Sequence, residues 1–208
     1  MDKLMEPKSQ SVRREEATHA ILSAAADHFA EFGFDGASLN TIADVSGCSK
    51  QKLLYYFSSK DELWRAATDW VFRKVEVEFA EALDAARQRG GLKAADLMRA
   101  HARIAARYPA YIMIPLAEGV RDTWRTQYII DNYLKAHHSR FRALIEEISD
   151  LPKANAMDAW SLQLLAAGGV QLMVALRPMW QAAGMMTSLD DSVERYSDTI
   201  MTLLSEEK

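Results

Sequence analysis

One cysteine, nine glycines and five prolines in 208 residues leave little room for several architectures. A lone thiol, Cys48, excludes an internal disulfide framework and a cysteine-based zinc site. Glycine and proline this sparse exclude collagen-like and low-complexity chains. There is no run of about 18 uncharged apolar residues, so no membrane span is expected. The opening MDKLMEPKSQ lacks the apolar centre of a secretion signal, and a cytoplasmic protein is the expectation. A Gly-rich phosphate loop, a nucleophile elbow, a His-Glu-x-x-His pair and a repeated acidic metal motif are also missing. The reading is a non-enzyme with no catalytic residue, no metal site and no cofactor.

What is there is an ordinary folded composition: 49% hydrophobic, 26% charged, 29 acidic against 25 basic residues, net charge -4. That excludes global disorder and fits one large domain or a small one joined to a larger one. Helical periodicity dominates, and period-two strand segments are absent. Residues 13–32 carry Ile21, Ala25, Phe29 and Phe32 on one face, closed by Gly33 and Gly36. Ser38 caps a short helix holding Ile42 and Val45, and Ser49 caps another that ends near Tyr56. Ser59 and Glu62 match a capping box that opens a long helix to about Arg89. Further helical stretches cover 92–107, 109–120, 125–149, 154–177 and 190–204. The third has an apolar stripe of Ile130, Leu134, His137, Phe141, Leu144 and Ile148. The expectation is an all-α chain of about nine helices. Residues 1–60, ordered from about 11, form a helix-turn-helix domain, and 61–208 form a helical bundle.

The two short helices, Ser38–Ser46 and Ser49–Tyr56, are joined by a turn with Ala43 and Gly47 where a tight corner needs small residues. Ile42, Val45, Leu53 and Phe57 are expected to pack on the Ile21/Phe29 face. Lys50, Gln51, Lys52, Tyr55 and Tyr56 then project outward. Residues 45–60 hold three lysines and no acid, although the first 60 residues balance seven basic against eight acidic. Positive charge confined to one surface is what phosphate neutralisation requires.

The ordered set Ser38, Ile42-Ala43, Ser46-Gly47-Cys48-Ser49, Leu53, Tyr55-Tyr56-Phe57, Ser59-Lys60 and Leu63 resembles the DNA-binding segment of the TetR family of transcriptional regulators. The preceding Ala25/Phe29/Gly33 register fits too. The resemblance covers about residues 13–65. Beyond them it rests on length, helix count and an apolar penultimate helix. The Leu-Leu-Tyr-Tyr-Phe string is similar, more faintly, to the pyrimidine-utilisation repressor subgroup. Two departures stand out. Cys48 replaces the family's usual Val and reads as a small apolar residue rather than a redox sensor. Leu54 stands where the family often has a phosphate-touching Tyr, leaving that contact to Tyr55 or Tyr56.

Gln51 and Lys52 are the candidates for base edges in the major groove, where Gln pairs bidentately with adenine. Lys50 belongs to the same outward cluster. Ser38, Thr41, Ser49, Tyr55, Tyr56 and Lys60 are candidates for phosphate contacts. Residues 157–176, apolar on all sides, are expected to pack on the core with one face and on a second copy with the other. Ala166-Ala167 and Gly168-Gly169 allow close approach, and the last helix (Val193, Tyr196, Ile200, Leu203, Leu204) completes the seam. A homodimer through the last two helices would read a near-palindromic operator. Polar residues in apolar surroundings mark an effector pocket: Trp70, His101, Tyr111, Met113, Glu118, Trp124, Tyr133, His137, Gln163 and Gln171. Adjacent His137 and His138 point about 100° apart on a helix and do not form a metal pair. The resulting expectation is a DNA-binding regulator, in the first instance a repressor, whose operator affinity a small molecule changes. A helical protein-binding adaptor is the alternative. Effector identity, operator sequence, sign of regulation and any role of residues 1–10 stay open.

Overall fold

The structure, a computed structural model, describes residues 10–148 and 158–205. Residues 1–10 were left open as a DNA arm; the first nine lie outside the described residues, as does Met157 at the expected start of the apolar helix. The described residues are helical, with no strand among them. In order the helices are α1 (Gln10–Gly36), α2 (Leu39–Val45), α3 (Lys50–Tyr56), α4 (Lys60–Gln88), α5 (Ala94–Arg107), α6 (Pro109–Gly119), α7 (Trp124–Ile129), α8 (Lys135–Glu147), α9 (Ala159–Ala175), α10 (Arg177–Ala182) and α11 (Leu189–Ser205). A π-helical turn, Ile130–Leu134, joins α7 to α8. The count exceeds nine because that turn divides one expected helix, and because α10 begins at Arg177-Pro178 just past the apolar one.

Two compact units divide between Val71 and Phe72, inside α4. In the first, Ile21, Ala25, Phe29, Ile42, Leu53 and Trp64 are essentially without solvent exposure. α1 packs on α2, and α2 on α3. α1 runs four residues past Phe32 through a kink at Gly33, where φ is 67° and a side chain would be strained. Ser38 Oγ accepts from Thr41 N and Ser49 Oγ from Lys52 N, so both short helices start where their caps stand. Gly47 makes the corner between them at φ 71°.

Three expectations change here. Val45 is 73% exposed, because it ends a two-turn helix whose buried side is Ile42-Ala43. Phe32 is half exposed rather than in the core. The capping box is shifted: Ser59 Oγ accepts from Glu62 N as expected, but the Glu62 carboxylate accepts from Ser58 N and Oγ, one residue further back.

The second unit is built around α9, which touches α5, α6, α8, α10 and α11. Leu83, Leu97, Phe141, Ile145, Leu162 and Ile200 belong to its core. The expected stripe along 125–149 has its first half out of phase: Leu134 is exposed, while Ile129, Phe141 and Ile145 are buried. Ile129, Tyr133, His137, Phe141 and Ile145 recur every four residues. An α-helix drifts about 40° per such step, and the wider π turn takes up that drift.

Candidate nucleic-acid interface and cavity

In the first unit α3 buries Leu53 and leaves Lys50, Gln51, Lys52, Leu54 and Tyr55 exposed. The face is polar, basic and one helix wide, the dimension a major groove admits. Thr41 and Ser49 are exposed beside it; Ser38 and Tyr56 are half-buried. Ser38 and Ser49 already act as caps, and their hydroxyls retain a hydrogen to give to a phosphate. Tyr55 stands 78% exposed and edge-on to Tyr56 at 5.7 Å. The Lys60 ammonium donates to Asp35 O at 3.3 Å and sits 4.9 Å over the Phe34 ring, which holds it at the start of α4. Cys48 is half-buried with Sγ 3.4 Å from Ser46 Oγ.

One basic group on this face escaped the sequence reading. The Arg14 guanidinium lies 5.9 Å from the Tyr56 ring centroid, bringing the start of α1 beside the end of α3. The Arg13-Arg14 pair was the signal available for it.

The second unit holds a partly open cavity of about 480 Å³. Of the ten pocket candidates, His101, Tyr111, Tyr133, His137 and Gln163 border it. Phe72 stacks on Tyr133 at 4.0 Å and meets Tyr111 edge-on at 5.1 Å, making an aromatic wall. Gln163 Oε1 is 2.8 Å from His138 Nδ1. The other five candidates are not among its lining. Trp70 packs edge-on against His19 in the first unit. Glu118 is buried in a 2.8 Å ion pair with Arg125 and accepts from Thr123, which answers its burial without a guest. Met113 is half-buried within α6 and Gln171 within α9, while Trp124 is 36% exposed and has the Arg125 guanidinium over its ring.

The charged edge of the cavity is new. Glu76 pairs with Arg140 at 2.6 Å, and Glu147 takes Arg87 through two nitrogens at 2.7 and 2.8 Å. Such residues read from sequence as solvated helix faces. His101 is half-buried, yet its Nε2 is closed to solvent and has no hydrogen-bond partner. Burial, helped by the neighbouring His137, pushes the ring down to about 4, so it is neutral at physiological pH. Burial also lowers His137, and burial with Glu76 nearby raises the Tyr111 phenol.

A pH dependence follows. The unfolded ring titrates near 6.5 and the folded one near 4, so the unfolded state binds the extra proton. Stability is complete above about 6.5 and falls as pH drops towards 4. Thermal unfolding followed from about pH 7.5 to 5.5 is expected to show a declining midpoint, flattened in His101→Gln. Equal slopes in the two proteins would contradict a neutral, buried His101.

Residues 21–67 match the family of bacterial regulatory proteins, tetR family. The HTH-type transcriptional regulator RutR of Escherichia coli is 57% identical over 47 residues, which is 23% of this chain and 22% of that protein. The chain thus matches less than a quarter of that relative's length. Among solved structures, the ketosteroid transcriptional regulator KstR2 of Mycobacterium tuberculosis superposes with a TM-score of 0.67 at 18% identity, over 96% of this chain and 98% of that one. The fatty acid degradation regulator FadR from Bacillus halodurans gives 0.66 at 15% identity, over 97% and 100%. At these identities the likeness is one of fold.

Proposed function

We propose that this chain, whose residues 21–67 match the tetR-family model, is a TetR-family repressor that grips a near-palindromic operator as a homodimer and loosens when a small molecule fills the cavity. The observation that carries the reading is the exposed Lys50-Gln51-Lys52 edge of α3, capped by Ser49 and free of acidic neighbours from 45 to 60.

Gln51 and Lys52 reach base edges, while Ser38, Thr41, Ser49, Lys50, Tyr55, Tyr56 and Lys60 hold phosphates and set the register. Arg14 extends the phosphate-binding edge. The second copy seats on α9, whose Trp160, Leu164 and Leu172 are about half exposed although the helix is the hub of its unit. The seam differs in detail from the sequence expectation. Gly168 has open space around it, but Gly169 accommodates Tyr196 of the same chain, whose hydroxyl donates to Leu165 O. Val193 and Ile200 are buried within the chain, leaving Leu203 as the exposed apolar residue of α11; the Leu204 side chain lies outside the described residues. Two-fold symmetry places the two α3 helices on half-sites about one turn, roughly 34 Å, apart.

The switch runs through α4. The helix starts at Lys60 beside α3, and its later turns supply Phe72, Glu76, Phe79 and Leu83 to the cavity wall. A guest that binds best when α4 is displaced shifts the half-site spacing and lowers affinity, with coupling of about 1–3 kcal/mol.

Gel shifts at several salt concentrations test the phosphate assignments. Lys50→Ala and Lys60→Ala are each expected to weaken binding and to reduce the slope of log affinity against log salt by about one per half-site contact. Slopes equal to wild type in both variants would remove these lysines from the interface.

A further inference from the structure

The cavity's lining restricts what it can hold. Its wall is aromatic and aliphatic, with the Phe72 ring in contact with those of both Tyr133 and Tyr111. Four charged residues border it, and they are already joined in two pairs, Arg140 with Glu76 and Arg87 with Glu147. Arg87 is further engaged by Asp84 at 2.8 Å. Gln163 is bonded to His138. His101 differs: it borders the cavity, and its Nε2 is buried with no partner. A buried polar atom left unpaired is costly, and a guest that satisfies it is favoured for that reason. The ring, 6.5 Å edge-on from Tyr111, carries no charge near neutral pH. Among the described residues the cavity is bordered by no cation that lacks an acidic partner, the two arginines being held in solvent-exposed pairs at its edge, and burying an uncompensated carboxylate deeper against the apolar wall is strongly unfavourable.

Taking the cavity as the effector site, as the preceding reading does, we infer that its ligand is an uncharged, largely apolar ring compound carrying a hydroxyl or carbonyl that hydrogen-bonds the His101 imidazole. The neutral ring offers one N–H and one bare nitrogen, so it serves either a carbonyl or a hydroxyl. Nε2 as it stands is closed off, so bonding the guest requires the imidazole to turn about its Cβ–Cγ bond. About 480 Å³ lies within the range of small-molecule sites.

Four probes of one skeleton test this by calorimetry on the full-length chain: 4-phenylphenol, 4-acetylbiphenyl, biphenyl and biphenyl-4-carboxylate. The phenol and the ketone are expected to bind, with biphenyl and the carboxylate each about tenfold weaker or more. His101→Phe is expected to erase the advantage of the phenol over biphenyl. His101→Gln, a neutral donor and acceptor, is expected to keep most of it. The carboxylate binding as tightly as the phenol, an unchanged phenol preference in His101→Phe, or no binding of any probe would overturn the inference. These outcomes are separate from the regulatory reading, which is measured on DNA without a probe. A phenol that binds through His101 yet leaves operator affinity unchanged would uphold the ligand class and refute the switch.

Discussion

Replacing both Gln51 and Lys52 by Ala is expected to cost a dimer about 2–6 kcal/mol of specific operator binding, or roughly 30-fold to 10⁴-fold in affinity. The range follows from about 1–3 kcal/mol of discrimination lost in each of two half-sites. Both side chains are exposed on α3, and neither is needed to hold it: the core side of the helix is Leu53, and its start is fixed by Ser49 Oγ on the Lys52 backbone N–H. Circular dichroism and thermal midpoint should therefore stay at wild-type values. Binding to unrelated duplex should fall much less, because Lys50, Lys60 and Arg14 are retained for phosphates. The checking measurement is competition between operator and random DNA at fixed salt. An unchanged ratio of specific to non-specific affinity would mean that base edges are read elsewhere.

The second large effect concerns the pairing of chains. Leu164→Asp combined with Leu172→Asp places two carboxylates on the exposed side of α9, where the wild-type residues are 52% and 55% exposed. Buried in an isologous seam, each carboxylate meets the symmetry-related surface without a counter-charge. The variant is expected to sediment as a monomer with its helix content intact. Its core is spared because α9 packs inward through Leu162, Gln163 and Val170. Loss of the linked second half-site then lowers operator affinity by about 10²–10⁴-fold. A variant that remains dimeric by analytical ultracentrifugation would show that another surface joins the chains.

Much of the first unit was legible because its signals are local. Ser38, Ser49 and Ser59 stand at helix starts, Gly47 stands at a corner, and Ile21, Ala25, Phe29 and Leu53 face inward as their spacing implies. Val45 misled because apolar spacing alone does not show that α2 ends before that residue can reach α1. The cavity was half legible. His101, Tyr111, Tyr133, His137 and Gln163 drew notice as polar or amphipathic groups in apolar surroundings, and all five line it. Glu118 met the same test, but its partner Arg125 sits seven residues on, across a turn whose geometry no spacing rule supplies. Glu76 and Arg140 were hidden for another reason: both are exposed, as charged residues on amphipathic helices usually are, and nothing in their spacing shows that they also edge a cavity. The π turn leaves no compositional mark; only the four-residue recurrence of Ile129, Tyr133, His137, Phe141 and Ile145 betrays it.

Selection of tight binders from random duplex DNA by the purified wild-type chain addresses the central claim most directly, because it presumes neither operator nor effector. The expected product is one enriched motif with two-fold symmetry, its half-sites about a helical turn (roughly 34 Å) apart, and its enrichment lost in the Gln51→Ala, Lys52→Ala double variant. Recovery of no motif, or of a single asymmetric element bound equally well by that variant, would contradict a paired α3 reading the major groove.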